Sequence, residues 1–221
     1  MKIIAEIQTD MKEKFGLPRQ SGLVPGLRGR VVFRPEYKSP EALRGLEGFS
    51  HIWVIWRFDG FDGDKWSPTV RPPRLGGNKR MGVFATRSPN RPNPIGMSVL
   101  RLDGIDGTDL LVSGIDMRDG TAVYDIKPYL KISDCIPDAS DGFTSDTNGR
   151  LCDVAFECDV SPLSPDDKKT VIELLEQDPR PAYKNEPDRI YGMNYKGYEI
   201  RFKTADGKVT VIEVKEIKRH E

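Results

Sequence analysis

Residues 82–96 read Gly-Val-Phe-Ala-Thr-Arg-Ser-Pro-Asn-Arg-Pro-Asn-Pro-Ile-Gly. This is the composition a protein uses to hold an anion. Arg87 and Arg91 each offer a planar fork of donors that matches a carboxylate or a phosphate. Pro89, Pro92 and Pro94 stiffen the backbone between them, which lowers the entropy lost on binding. The flanking glycines allow close approach to the main chain. Just upstream, Arg71-Pro72-Pro73-Arg74-Leu75-Gly76-Gly77 repeats the same mixture. A rigid structural loop would explain the prolines, but it would not require the arginines.

Three other segments carry chemistry. Ile115-Asp116-Met117-Arg118-Asp119-Gly120-Thr121 contains a turn signal at Asp119-Gly120. Asp125, Lys127 and Tyr129 follow it at alternate positions, so in an extended chain their side chains share one face. That face is either an exposed strand surface or the wall of a cleft. Pro18-Arg19-Gln20-Ser21-Gly22 forms a polar loop near the start. In Asp178-Pro179-Arg180-Pro181-Ala182-Tyr183 the prolines stop a helix, while Arg180 suits a phosphate and Tyr183 a stacked base.

Charge supports an anionic partner. The chain has 34 basic and 34 acidic residues, yet residues 12–101 carry 17 Lys/Arg against 7 Asp/Glu. From Arg71 to Arg101 there are seven basic residues and no acid. A solvated basic face is one reading, and a nucleic-acid surface is the other.

Several classes are excluded or unsupported. Two histidines, His51 and His220, leave little for a histidine-rich metal site or a Ser-His-Asp triad. The cysteines, Cys135, Cys152 and Cys158, form no CxxC and are odd in number, so neither a disulfide framework nor a metal is expected. No GxGxxG or P-loop follows a strand. No apolar run approaches the ~20 residues of a membrane span. The start, Met1-Lys2-Ile3-Ile4-Ala5-Glu6, reaches a charge too early for a signal peptide, so a cytoplasmic location is expected.

These residues need a frame to position them. The first ~160 residues offer short, punctuated strands, at Lys2–Ile7, Arg30–Arg34, Ser50–Phe58, Gly82–Thr86, Gly96–Leu102, Asp109–Ile115, Ala122–Ile126 and Leu151–Cys158. One short helix, at Ser39–Arg44, interrupts them. Strands without intervening helices predict a barrel or sandwich. After Ser161-Pro162-Leu163-Ser164-Pro165 the character changes. Ser164 caps a helix over 165–177, striped by Val171, Ile172, Leu174 and Leu175, and a hairpin follows over 198–214. The expectation is a mainly β protein, with a β-barrel-like domain over 1–160 and a small C-terminal α+β domain over 161–221.

Taken together and in order, these segments resemble the TrmO family, also called YaeB or TsaA-like. The matching text includes Lys12-Glu13-Lys14-Phe15, Pro18-Arg19-Gln20, Phe49-Ser50-His51, residues 68–77, residues 81–98, Asp119-Gly120-Thr121, Asp125-Ile126-Lys127-Pro128-Tyr129 and Asp178-Pro179-Arg180-Pro181. The resemblance implies a β-barrel, homodimeric tRNA methyltransferase that uses S-adenosylmethionine. Its substrate would be the N6 of threonylcarbamoyladenosine, beside the anticodon of threonine tRNA. Carried over, the cofactor site would use Pro18, Arg19, Gln20, Arg87, Met97, Arg118, Asp119 and Gly120. Family members often have His-Gln just after the aromatic strand. Here Asp59-Gly60 stands there, which leaves Asp59 a backbone contact.

With that cofactor, Arg19 or Arg87 would take its carboxylate. Amides of the Asp119-Gly120 turn would meet its adenine, and carbonyls or an aromatic face would meet its sulfonium. Asp125, Lys127 and Tyr129 are the candidates for acid-base or orienting work. Arg71, Arg74, Arg91, Arg180 and Tyr183 would hold the anticodon arm, with the target base out of its stack. The competing readings are methyl transfer to another RNA or a small molecule, and a non-catalytic RNA- or nucleoside-binding module.

Overall fold

The structure is a computed structural model that describes residues 1–72, 79–145, 151–180, 186 and 188–217. Six strands close a barrel in the order β1-β2-β7-β6-β3-β8. They are β1 (Ala5–Thr9), β2 (Arg28–Phe33), β3 (His51–Arg57), β6 (Ile95–Asp106), β7 (Asp109–Ser113) and β8 (Ala122–Pro128). Every pair is antiparallel, including the β1–β8 closure through Ala5↔Val123. Alternation decides which side chains enter. Ala5 and Ile7, Ile52 and Val54, and Leu110 and Val112 face inward and are buried. A closed barrel leaves no open sheet edge.

Between β3 and β6 lies a separate two-stranded pair, β4 (Thr69–Val70) with β5 (Met81–Gly82). Of the strand expected at Gly82–Thr86, only Gly82 lies in one, at the end of β5. Residues Val83–Ala85 instead make a 3-10 turn. The Thr86 hydroxyl donates to the Val83 carbonyl (2.9 Å) and accepts from the Ser88 amide (3.2 Å), which bends the chain away from a ladder. The short helix α1 (Pro40–Leu43) forms as expected after Ser39, which makes no side-chain cap bond.

A second sheet has the order β10-β11-β12-β9. The strand expected at Leu151–Cys158 is β9 (Asp153–Phe156), and it lies here rather than in the barrel. It pairs in parallel with β12 (Lys208–Glu216), as Asp153↔Lys208. The hairpin β11 (Tyr198–Ala205) and β12 turns at Asp206-Gly207 as the sequence indicates. β10 (Tyr191–Tyr195) was hidden by Gly192 and Asn194, yet Tyr191, Met193 and Tyr195 are buried at alternate positions. Helix α2 (Pro165–Glu176) begins where expected, with the Ser164 hydroxyl accepting from the Asp167 amide at 3.1 Å. Its buried stripe contains Thr170, Val171, Leu174 and Leu175, so Thr170 takes the place expected for Ile172.

The second sheet packs in cis against the long β1–β2 connection. Phe15 stacks on Tyr191 and Phe202 at centroid distances of 6.3 and 6.4 Å. The Glu13 carboxylate accepts from Asn194 (2.9 Å), and Glu173 accepts from the Gly26 amide (2.9 Å). The loop carrying Pro18-Arg19-Gln20 is therefore clamped from both sides before any ligand arrives.

Candidate functional site

The buried end of the site starts at Trp56 on β3. Its indole N–H donates to the Ser98 hydroxyl on β6 (2.9 Å), and Ser98 donates to Asp116 Oδ1 (2.7 Å). Asp116 also accepts from the Ser21 backbone amide and from its own. Burial dominates over these bonds and over nearby Arg87, and pushes the Asp116 carboxyl up from 3.8 to about 6. Ser21 in turn accepts from the Val99 amide at 3.2 Å. The Gly22 amide donates to the Gly114 carbonyl (2.9 Å). A Cβ on Gly114, whose φ is +75°, would sit 3.3 Å from the Gly22 backbone, so the two loops meet main chain to main chain.

Above this carboxylate lies the cationic rim. Arg87 donates to the Gln20 side-chain oxygen. Arg19 donates to the Asp178 carbonyl at 2.9 Å. Met97, the neighbour of Ser98, turns outward and is half-exposed. Around the corner, Arg118 pairs with Asp59 (3.4 Å), and the Asp59 carbonyl accepts from Lys14 (3.3 Å). Asp119 accepts from Lys12 (2.6 Å) and from the Thr9 amide (3.0 Å). Those bonds, with Lys12 and Arg118 nearby, outweigh partial burial and hold its carboxyl below the usual range.

A half-buried acid with Arg87 beside it and Arg19 on the adjoining loop can take a ligand bearing both charges. The tRNA-methyltransferase O N-terminal domain matches residues 6–135, and the TrmO C-terminal domain matches residues 156–217. This chain belongs to the TrmO family. It is similar to the tRNA (adenine(37)-N6)-methyltransferase of Escherichia coli, at 41% identity over 92% of each chain. A protein of the same name from Eikenella corrodens is 46% identical over 74% of this chain and 95% of its own. A crystal structure of TrmO from Pseudomonas aeruginosa superposes with a TM-score of 0.80 at 32% identity, covering 97% of this chain and 95% of that one.

The residues singled out for a TrmO cofactor fall into these two adjoining clusters. Pro18, Arg19, Gln20, Arg87 and Met97 flank Asp116, while Asp59, Arg118, Asp119 and Gly120 form the second group. One expectation is corrected. The Asp119 and Gly120 amides donate to the Met11 and Ile7 carbonyls (2.9 and 2.8 Å), so they hold the barrel together and do not await an adenine.

Asp125, Lys127 and Tyr129 lie on the outer face of β8 and just past its end. In the ladder, Asp125 lies across Ile55 from Met97, roughly 10 Å away at two strand spacings. Asp125 pairs with Lys127 (2.8 Å), and Tyr129 packs against His51 and Trp53 at 6.3 and 5.9 Å. The structure therefore spreads the three along the strand and does not gather them in one cleft.

Among the residues singled out for RNA, Arg71 is exposed, and Arg74 and Tyr183 lie outside the described residues. Arg91 is turned into its own loop, donating to the Thr86 and Ser88 carbonyls at 2.8 and 3.3 Å. Arg180 is paired within its own segment. Its side chain is only 13% exposed and grips Asp178 by two bonds (2.8 and 3.0 Å). It is a strut that presents the Asp178 carbonyl to Arg19.

The Trp56-Ser98-Asp116 chain was not singled out in the sequence. Its signal was Asp116 lying between two apolar residues, Ile115 and Met117, in a segment of otherwise buried positions. Asp116 also gives this chain a pH signature. Its folded pKa is raised, so its protonation stabilises the fold below about pH 4 and that contribution is lost as pH rises through about 6. Wild-type stability minus that of Asp116→Asn is therefore expected to fall by about 2 kcal/mol between pH 4 and 7. Urea unfolding across that range measures it, and a flat difference would show that Asp116 is not held in an apolar site.

Proposed function

We propose that this chain transfers the methyl group of S-adenosylmethionine to the N6 of threonylcarbamoyladenosine at position 37 of threonine tRNA. Adenine-N6 methylation of tRNA is the activity that the names of its TrmO relatives carry. The observation that carries the cofactor assignment is the pairing of opposite charges in one site. S-adenosylmethionine supplies a methyl group on a sulfonium cation and also bears a carboxylate. Asp116 provides the negative charge for the former, and Arg19 and Arg87 provide donors for the latter.

The chain's own part is mostly positioning. The loop 18–22 is fixed by the Asp116 bonds below and by the C-terminal unit behind, so little freedom is lost on binding. The acceptor nitrogen carries a proton that must leave. Asp125, steadied by Lys127, is the group we assign to receive it, and Tyr129 with its aromatic neighbours orients the nucleoside. The stretch from Arg71 to Arg101, free of acids, holds the phosphates of the anticodon arm.

We also read the working unit as a cytoplasmic homodimer. The exposed apolar residues Leu130, Ile132 and Ile136, which follow β8, are a surface that such a dimer would cover. No helix among the described residues is long and apolar enough to cross a membrane. No group of three or more His, Cys, Asp or Glu among them could hold a metal ion.

Transfer of labelled methyl from S-adenosylmethionine to threonine tRNA, with and without its threonylcarbamoyl group, tests the proposal. Label on the modified tRNA alone is expected. Equal label on both would assign the enzyme to plain adenosine, and label on neither would send the search to other acceptors.

A further inference from the structure

The described residues hold one aromatic stack that folding does not explain. Phe84 is 73% exposed, and its ring stacks on that of Trp66, itself 41% exposed, at 6.2 Å and 26°. The Phe15, Tyr191 and Phe202 stack, by contrast, lies between the barrel and the C-terminal sheet. An exposed phenylalanine gains nothing for the core and risks aggregation, so a stiffly held pair of this kind marks a contact surface.

The pair is well supported. Trp66 and Phe84 sit on the two sides of the β4–β5 pair, joined by the Val83 amide to the Pro68 carbonyl (2.9 Å). Arg80 donates to the Thr69 hydroxyl at 3.0 Å. On the other side, the Arg91 guanidinium lies 5.8 Å from the Phe84 centroid while its Nη1 is bonded to the loop's own carbonyls. Rings and cation are thus fixed together, three residues from Arg87 at the cofactor rim.

Charge selects the occupant. Arg91 lies over the Phe84 ring, Arg80 is bonded to β4, and Lys65 and Arg87 stand one and three residues along the chain from Trp66 and Phe84. The acids nearby in the chain are Asp62, which caps its own turn and faces Lys65 at 4.0 Å, and Asp64. A flat apolar face rimmed by cations suits a nucleobase attached to phosphates better than a second copy of this chain. Flipping a base for methylation also leaves its neighbours without a stacking partner, and an aromatic face beside the site can replace it.

We propose that Phe84, backed by Trp66, is a stacking platform for an unpaired base of the substrate RNA, flanking the nucleotide that is methylated. This rests on the tRNA reading above. It adds the single-stranded, base-stacking part of recognition, which the phosphate contacts alone do not supply.

The test is binding of an anticodon stem-loop RNA to full-length wild type, Phe84→Ala, Phe84→Leu and Phe84→Trp at several salt concentrations. Methyl-transfer kinetics, S-adenosylmethionine calorimetry and sedimentation are run alongside. Phe84→Ala is expected to weaken RNA binding by about 5- to 150-fold. Phe84→Leu is expected to fall close to Phe84→Ala, and Phe84→Trp to restore wild-type affinity. KM should rise more than kcat falls, cofactor affinity should hold, and the salt slope should stay unchanged because no phosphate contact is lost.

Unchanged RNA affinity in Phe84→Ala, or full activity in Phe84→Leu, would overturn the platform. A changed oligomeric state would assign the patch to a second copy and overturn it too. The two readings separate cleanly. RNA binding that depends on Phe84 without methyl transfer would leave the platform standing and remove the methyltransferase reading. Methyl transfer indifferent to Phe84 would do the reverse, and a wild type that binds no RNA would end both.

Discussion

Arg87→Ala is expected to weaken S-adenosylmethionine binding by about 10- to 150-fold, the worth of a charge-assisted hydrogen bond removed from a ligand carboxylate. The fold should not notice, because Arg87 is exposed and its bond to Gln20 joins two surface loops. Two further effects distinguish a lost ligand contact from general damage. Arg87→Lys keeps the charge but not the fork, so its affinity should lie between wild type and Arg87→Ala. Arg87 also helps to keep Asp116 ionised, and without it the Asp116 carboxyl should titrate at higher pH. Calorimetry at two pH values therefore reads both roles. Unchanged affinity with an unchanged thermal midpoint would place the cofactor elsewhere on the barrel.

Much of the fold was legible because the strands are short and bounded by glycine, proline and Asp-Gly pairs. β3 illustrates the strong case. His51-Ile52-Trp53-Val54-Ile55-Trp56 alternates, and the structure buries Ile52, Val54 and Trp56. The failures share a cause. Residues 82–86 look extended by composition, but Thr86 and Ser88 offer side-chain bonds that compete with a ladder. β9 was recognisable as a strand, but its partner β12 lies more than fifty residues later, and no local pattern specifies that pairing. β10 was lost because Gly192 and Asn194 mask an alternation that only burial reveals.

The site divided differently. Its charged rim was visible, since arginines among prolines and glycines need little context to be noticed. Its interior was not. Ser98 and Asp116 are separated by 18 residues, and neither is unusual in composition. Their meaning comes from closure of the barrel, which brings β6 and the segment after β7 together under the 18–22 loop. Arg180 shows how little residue type says about a side chain's partner. It looked like a phosphate contact by type, but two residues earlier stands Asp178, an acid at a distance that allows a bidentate bond. A charged side chain with a partner so near in sequence is better read as structure until its exposure is known.

Gly96 is where fold and site depend on one another most directly, and its replacement by alanine should have the largest effect on stability. In β6 it pairs with Trp56, whose ring occupies the space where a side chain at this position would begin. A Cβ at this position would fall 2.5 Å from Trp56 Cδ2 and closer still to Cε2 and Cζ2. The ring is buried and cannot swing aside without breaking its bond to Ser98, and with it the support of Asp116. The expected cost is about 2–4 kcal/mol from overpacking and a lost buried bond. In a chain of this size that lowers the thermal midpoint by about 5–15 °C. Gly104, on the same strand, is the control. A Cβ there meets only Leu111 Cδ1, at an ordinary 3.9 Å. Gly104→Ala should therefore be neutral or slightly stabilising, since it only restricts the unfolded chain. Thermal unfolding followed by tryptophan fluorescence compares the two variants. If both melt together, the Trp56 packing does not hold this end of the barrel. If Gly96→Ala alone melts early and has also lost the pH dependence assigned to Asp116, then one glycine on β6 keeps the Asp116 carboxylate in place.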